Sequence, residues 1–298
     1  NTGATSPGAR LGVPELPEVE TIVRDLAPRV SGRTIRHPRL HKSDVLRGVT
    51  RRTFLAGITG RRIDSLSRRA KHLIFLLDSG RRMVIQLRMT GSLLVKRGRL
   101  TAEQERYAVL TAPLGGRETL VFQDVRRLGT IHLLDEPAWG TYTARIGAEP
   151  LDPGFDVAQF AAVLRGSSQA VKKVIMDQRK LAGVGNIYAN EALFRAGIDP
   201  SRRADRIAEP AAAQLHAAVR AVLTEAIDAR GTTVRDYRTG TGQRGGFQFS
   251  LDVYDRAGEP CVRCGTLLAT THAIDGRQTT FCWHCQGAEP SGGPRRGR

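Results

Sequence analysis

The chain has 298 residues, room for two domains and a sizeable core, and its 46 Lys and Arg against 29 Asp and Glu leave a formal net charge of +17. A basic surplus spread along the whole length favours a polyanionic partner, bound more weakly as salt rises, over a merely solvated basic surface. The longest apolar run, 73–77, is far too short to span a bilayer, and residues 1–12 lack the basic and apolar regions of a signal peptide, so the sequence reads as a soluble intracellular protein with no membrane partner.

Residues 1–12, rich in Gly, Ala, Ser and Thr, show no apolar period and are expected to be disordered. A helix is predicted from Pro17. Val19, Ile22, Val23, Leu26 and Val30 recur at helical spacing, Glu18 and Glu20 occupy a first turn that favours acids, and Gly32 ends it. From 33 to 134 the pattern turns to short strands. The runs 72–77 and 82–87 flank Asp78, Ser79 and Gly80 and read as a hairpin. With further strands over 107–111, 118–122 and 129–134, an all-β sandwich or barrel is expected.

Pro150 and Pro153 mark a linker over 148–154. Beyond it, Asp156 can cap a helix that carries Phe160, Val163 and Leu164 and stops at Gly166. A second helix is expected over 168–178 and a third from Asn186 to just before Gly197. A fourth opens near Pro210, with Leu215, Val219, Val222 and Leu223 on one face. A glycine-rich stretch, 240–246, leads to the cysteines, and the end of the chain reads as a disordered basic tail.

All four cysteines lie in two C-x₂-C pairs, Cys261 with Cys264 and Cys282 with Cys285, separated by 17 residues. Each knuckle can place two thiolates on one tetrahedral ion, and the intervening length suffices for one β-hairpin. A small loop-rich segment without a core of its own would then be folded by the metal. Disulfides are the lesser reading, since there is no secretory segment. Four thiolates close the tetrahedron without His272 or His284, so the expected Zn²⁺ is single and structural.

The segment Pro14-Glu15-Leu16-Pro17-Glu18-Val19-Glu20-Thr21 resembles the amino terminus of the formamidopyrimidine-DNA glycosylase family, in its Fpg/MutM branch. Leu16 stands where the endonuclease VIII branch typically has Gly. The resemblance runs from Pro14 to about Gln286 and takes in Gly183-Val184-Gly185-Asn186-Ile187-Tyr188 and the cysteine ribbon. It implies an α+β multidomain protein: an N-terminal β-sandwich with a leading helix, a helical helix-two-turn-helix domain and a zinc ribbon. The corresponding divisions are a disordered leader 1–13, a catalytic domain 14–147, a helix-two-turn-helix domain 154–238, a lesion loop and ribbon 239–286, and a disordered tail 287–298.

The implied activity is base excision repair: a DNA glycosylase with abasic-site lyase activity, removing oxidised purines (8-oxoguanine, formamidopyrimidines) from duplex DNA. A proline free at the terminus is a secondary amine that can attack sugar C1′ and form an iminium, displacing the base. Glu15 is the adjacent acid for proton handling, and Glu18 stands one turn on to position the site. By resemblance Lys71 is the hairpin lysine that holds phosphate near the lesion. Met89, Arg126 and Leu128 fill the hole left by the flipped nucleotide, with Leu128 and Val125 replacing the family's usual Phe and Pro. Lys172 and Asn186 belong to the phosphate set, Asn186 at a helix N-terminus whose N–H groups are free to bind. Glu191 matches an active-site glutamate, and Arg277 is the ribbon's phosphate contact. The loop 239–249 matches the segment that closes over the flipped base. The partner is double-stranded DNA with oxidised bases or abasic sites, bound by a monomer in the cytoplasm, at the nucleoid.

One departure matters. Val13 and twelve earlier residues precede Pro14, and a proline nitrogen inside an amide is not nucleophilic. The preferred expectation is that Val13 is the initiator, translated as methionine and trimmed. The alternatives are a non-catalytic damaged-DNA-binding paralogue, or an endonuclease VIII-like glycosylase for oxidised pyrimidines.

Overall fold

A computed structural model gives the fold and describes residues 13–232, 240 and 243–287. The expected leader (but for Val13), the expected tail (but for Gly287), and residues 239, 241 and 242 of the expected lesion loop lie outside them. The chain divides into two compact units, Asn1–Gly140 with Ala229–Gln248, and Thr141–Asp228 with Phe249–Arg298.

In chain order the first unit holds α1 (Leu16–Val30), β1 (Arg39–Leu40), α2 (Arg51–Ile58), β2 (Ile63–Arg69), β3 (His72–Leu77), β4 (Arg82–Gln86), β5 (Gly91–Arg97), α3 (Ala102–Tyr107), β6 (Ala108–Gly115), β7 (Glu118–Asp124) and β8 (Thr130–Leu134). α4 (Glu136–Thr143) follows. The strands form two four-stranded antiparallel sheets, β2-β3-β4-β8 and β1-β6-β7-β5. Their inner faces share one core with α1: Leu73, Phe75 and Met83 from one sheet, Leu110 and Phe122 from the other, and Val19, Ile22 and Leu26 from the helix. Burying a side chain of this kind stabilises the fold by roughly 1.5–3 kcal/mol. The apolar stripe predicted for α1 is its buried face, and Gly32, at φ +77°, turns the chain in a backbone region that favours glycine.

Strands β1, β2 and β5 and helices α2, α3 and α4 escaped the sequence pattern. β2 turns only Ile63 and Leu66 into the core because a bulge between Ile63 and Ser65 breaks the period of two. β5 starts at Gly91, where a Cβ would lie 2.3 Å from the Leu87 carbonyl oxygen. α2 buries only Phe54 and Ile58. The strand expected over 107–111 instead begins at Ala108 and runs to Gly115, because Tyr107 ends α3, which Thr101 and Gln104 cap reciprocally.

The second unit continues with α5 (Val157–Arg165), α6 (Val171–Met176), α7 (Asn186–Arg195), α8 (Glu209–Asp228) and the ribbon strands β9 (Ala269–Thr271) and β10 (Thr279–Phe281). Asp156 caps α5 through the Gln159 N–H, and Gly166 ends it. The helix expected over 168–178 is cut to the six residues of α6. Ala170 is extended and bridges to Arg203, while the Gln178 side chain turns back to the Met176 and Val184 carbonyls. α8 buries Leu215, Val219, Val222 and Leu223 against α5 and α7. Among the described residues no helix is long and apolar enough to cross a membrane.

Candidate active site and nucleic-acid interface

In the first unit Pro14 is buried immediately ahead of α1, whereas Val13 is exposed. Glu15 is the N-cap of α1 and Glu18 stands in its first turn, both almost fully buried. Glu18 spans two backbone donors: its Oε2 accepts from Glu15 N at 2.9 Å and its Oε1 from Thr232 N at 2.7 Å. The carboxylate that caps the helix start thus also fastens the Thr232 backbone.

Lys71 lies in the turn between β2 and β3, next to Ala70 at φ +53°. Arg68 braces that turn, donating from Nη1 to the Ala70 carbonyl and from Nε to Glu20 Oε2 on α1, both at 3.0 Å. His72, whose Nδ1 pairs with the Arg69 carbonyl at 3.1 Å, is held down to about 4 chiefly by burial and is neutral at physiological pH.

Met89 follows Arg88 (φ +56°), and Arg126 and Leu128 flank Arg127 (φ +55°). Thus three of the seven positive-φ residues other than glycine among the described residues adjoin expected site residues, a cost persisting only where the surroundings enforce it. Here the enforcing group is Asp124. This buried carboxylate accepts the Thr90 hydroxyl, Arg126 N at 3.2 Å and Gly129 N at 2.7 Å, closing the 125–128 loop at both ends. The loop leaves Val125 and Leu128 exposed, as a wedge requires. Sequence reasoning missed Asp124, although an acid two and five residues before the N–H groups it holds is a turn signal. Strand register places these parts at one end of the sheet, since His72 faces Gln86 and Gln86 faces Thr130.

In the second unit three expected phosphate ligands meet around one carbonyl. The Gln278 carbonyl oxygen accepts from Asn186 Nδ2 at 3.0 Å and from Lys172 Nζ at 3.4 Å, beside Arg277. Lys172, expected by resemblance in the phosphate set, is enclosed by the ribbon. It is fully buried, donates to Thr279 Oγ1 at 2.7 Å and lies 3.8 Å from Asp275, because the ribbon strand packs over it. Asp275, unremarked in the sequence, also lies 3.5 Å from the Arg277 guanidinium and accepts the Arg277 N–H. Arg277 itself is exposed, its side chain at 61 %. Gly183 (φ +84°) gives its N–H to Gln178, shaping the turn before α7.

Glu191 is fully buried and accepts the N–H groups of Asp252, Val253 and Tyr254 at 2.8, 3.0 and 2.7 Å. Burial pushes its carboxyl above the usual range, against the pull of these bonds. Its side chain is a brace for the segment entering the ribbon.

The four cysteine sulfurs lie within 4.8 Å of one another, with Cys261–Cys285 at 3.9 Å and Cys264–Cys282 at 3.5 Å. A tetrahedral ion with Zn–S bonds of about 2.3 Å sets sulfurs about 3.8 Å apart, so the set fits zinc and leaves no position open for water. Neither His272 nor His284 joins the cluster. Arg263, in the first knuckle, stacks on Phe194 at 4.5 Å and donates to the Phe194 and Arg195 carbonyls, tying the ribbon to α7.

The Formamidopyrimidine-DNA glycosylase N-terminal domain matches residues 13–131, the H2TH domain of the same glycosylase matches 146–238, and a zinc finger found in FPG and IleRS matches 258–287. A helix-led β-sandwich, an H2TH unit and a four-cysteine ribbon define a base-excision DNA glycosylase with a structural zinc. The chain belongs to the formamidopyrimidine-DNA glycosylase family. It is 42 % identical to the Formamidopyrimidine-DNA glycosylase of Chloroflexus aggregans over 92 % of this chain and 98 % of that protein. The crystal structure of the MutM (FPG) protein from Thermus thermophilus matches with a TM-score of 0.82 at 40 % identity, covering 93 % of this chain and all of that one. A Lactococcus lactis Fpg complex with DNA containing an abasic site matches with a TM-score of 0.84 at 33 % identity, over 91 % of this chain and 99 % of that one.

Proposed function

We propose that this glycosylase is bifunctional, excising oxidised purines and then cleaving the abasic strand through a Schiff base on Pro14. The observation that carries the reading is the pairing of buried Pro14 and Glu15 at the head of α1, held by Glu18 across to Thr232. Related Fpg proteins have been crystallised with DNA containing Fapy-dG, an abasic site or carbocyclic 8-oxo-G, which supports duplex DNA with such lesions as the substrate class.

In this reading removal of Val13 and the residues before it frees Pro14 as a secondary amine, its nitrogen attacks C1′, the base departs, and an iminium joins protein to DNA. Glu15, shielded from bulk water, hands protons to and from the opened sugar. Lys71 holds the phosphate beside the lesion. Met89, Arg126 and Leu128 fill the vacated stack, Asn186 and Arg277 grip the backbone, and Lys172 and Glu191 act as positioning residues. The zinc, bound by Cys261, Cys264, Cys282 and Cys285, fixes the hairpin that carries Arg277. The domain divisions set out from the sequence, a monomeric state and a cytoplasmic, nucleoid-associated location belong to the same proposal.

The Val13–Pro14 amide favours a second reading, a non-catalytic damage binder, in any chain that retains Val13. Borohydride trapping on abasic DNA, with the protein's N-terminus read by mass spectrometry, separates the two. A trapped adduct on chains starting at Pro14 is the expected result. No adduct from protein verified to start at Pro14 would overturn the lyase.

A further inference from the structure

Away from these parts, the first unit carries an open surface groove of about 520 Å³ between α2 and the β3–β4 turn. Three guanidiniums line it, from Arg52, Arg61 and Arg81, together with the hydroxyl residues Thr53 and Ser79. Asp78 lies 3.9 Å from Arg61, and among the described residues neither Arg52 nor Arg81 has an ion-pair partner. The floor is Gly57, in the middle of α2, where a Cβ would lie 2.5 Å from Leu133 Cδ2 and 3.2 Å from Arg81 Nη1. Glycine costs a helix roughly 0.5–1 kcal/mol relative to alanine, and here its bareness gives the Arg81 guanidinium room.

The groove lies at the other end of the sheet from the lesion-facing parts. Lys71 precedes His72 at the start of β3, whereas the groove borders the turn after Leu77, five residues and about 16 Å along the strand. Leu76 faces Arg82, and Arg82 faces Leu134, at that far end. Exposed arginines with hydroxyls are the donor set for phosphate oxygens. No aromatic side chain lines the groove, so a nucleobase would find nothing to stack on, and the chemistry reads a backbone rather than a nucleotide.

We propose that this groove is a second DNA-backbone site, through which one molecule holds an undamaged duplex segment while its lesion-binding parts hold another. The inference rests on the reading of the chain as a DNA-binding glycosylase. It gives a basic protein a physical means of passing between duplexes without full release, each contact being electrostatic and sequence-independent.

The test is duplex bridging by the full zinc-loaded chain. A biotinylated duplex with an abasic-site analogue is immobilised and saturated with protein, and a fluorescent undamaged duplex is added at low salt. The protein should retain the fluorescent duplex. The R52Q/R81Q variant should lower retention at least tenfold and flatten its log–log salt dependence by about 1.8, the slope expected for two lost phosphate contacts. Affinity for the immobilised duplex and excision from a lesion duplex should change less than twofold. A control pair outside the groove, R97Q/R99Q, removes the same charge and should leave bridging intact.

Bridging insensitive to R52Q/R81Q, equal loss in the control pair, or parallel loss of binding to the immobilised duplex would each overturn the proposal. Displacement of the fluorescent duplex by inorganic phosphate at matched ionic strength would overturn it too, in favour of a small-anion site. Groove-dependent bridging by a protein that excises nothing would instead count against the catalytic reading and leave this one standing.

Discussion

Arg68 Nε donates to Glu20 Oε2 at 3.0 Å while its Nη1 holds the Ala70 carbonyl, so one guanidinium fastens the Lys71 turn to the helix that begins with Glu15 and Glu18. The two side chains are only 12 % and 21 % exposed, which makes the pair less screened than a surface bridge. The proposed phosphate grip of Lys71 and proton handling of Glu15 are therefore linked through a contact between residues 48 apart in sequence. Arg68→Ala should slow single-turnover excision about tenfold while lowering stability by only about 1 kcal/mol. Excision rates and thermal melts on the same preparation check this; an unchanged rate would separate the turn from the chemistry.

Glu15→Gln retains the shape of the N-cap but removes the exchangeable acid. Base excision should fall by about 10²–10⁴-fold, with binding to abasic DNA within a few fold of the parent protein. Quench-flow excision and a binding titration measure the two separately, and full activity would remove Glu15 from the mechanism.

Asp124 accepts two loop N–H groups and the Thr90 hydroxyl from a buried position. Replacement by Ala leaves buried donors unpaired, a loss of about 1–3 kcal/mol for each group stranded. Asp124→Ala should therefore lower the melting temperature and reduce discrimination between lesion and undamaged duplex more than it reduces binding to undamaged DNA. Equal effects on both duplexes would show that the 125–128 loop takes no part in lesion reading.

Cys282 is a fully buried member of the four-sulfur set. Cys282→Ser should release the zinc and loosen the 261–285 ribbon, weakening DNA binding at least tenfold through loss of a positioned Arg277. Metal analysis and a binding titration test this, and one equivalent of zinc retained in the variant would contradict the four-thiolate site.

His72 has a folded pKa of about 4, below its ordinary 6.5, with burial the main cause; burial lowers His132 as well. The unfolded chain then binds protons more readily than the folded one, so the stability from neutral His72 is complete above about pH 6.5 and lost as pH falls towards 4. Melting temperature should drop across that window, by the equivalent of about 3 kcal/mol at most for His72. His72→Asn should flatten the fall. An identical pH profile in the variant would place the sensitivity elsewhere.

Whatever depends on near neighbours was legible in the order of residues alone. The α1 stripe from Val19 to Val30, the β3–β4 hairpin around Gly80, the Asp156 cap and the two C-x₂-C knuckles are written in spacings that local geometry must obey. The motif at Pro14 and the turn before Asn186 were legible for the same reason. The fate of single polar residues was not, because long-range packing settles it. Glu18 finds its second donor 214 residues away, and Lys172 is drawn under a strand more than a hundred residues further on, although its neighbours in sequence resemble those of any surface lysine. Asp124 and Asp275 read as ordinary acids until the fold brings donors to them. Burying a polar group is tolerable only when the whole fold supplies its partners, and that supply has no local signature.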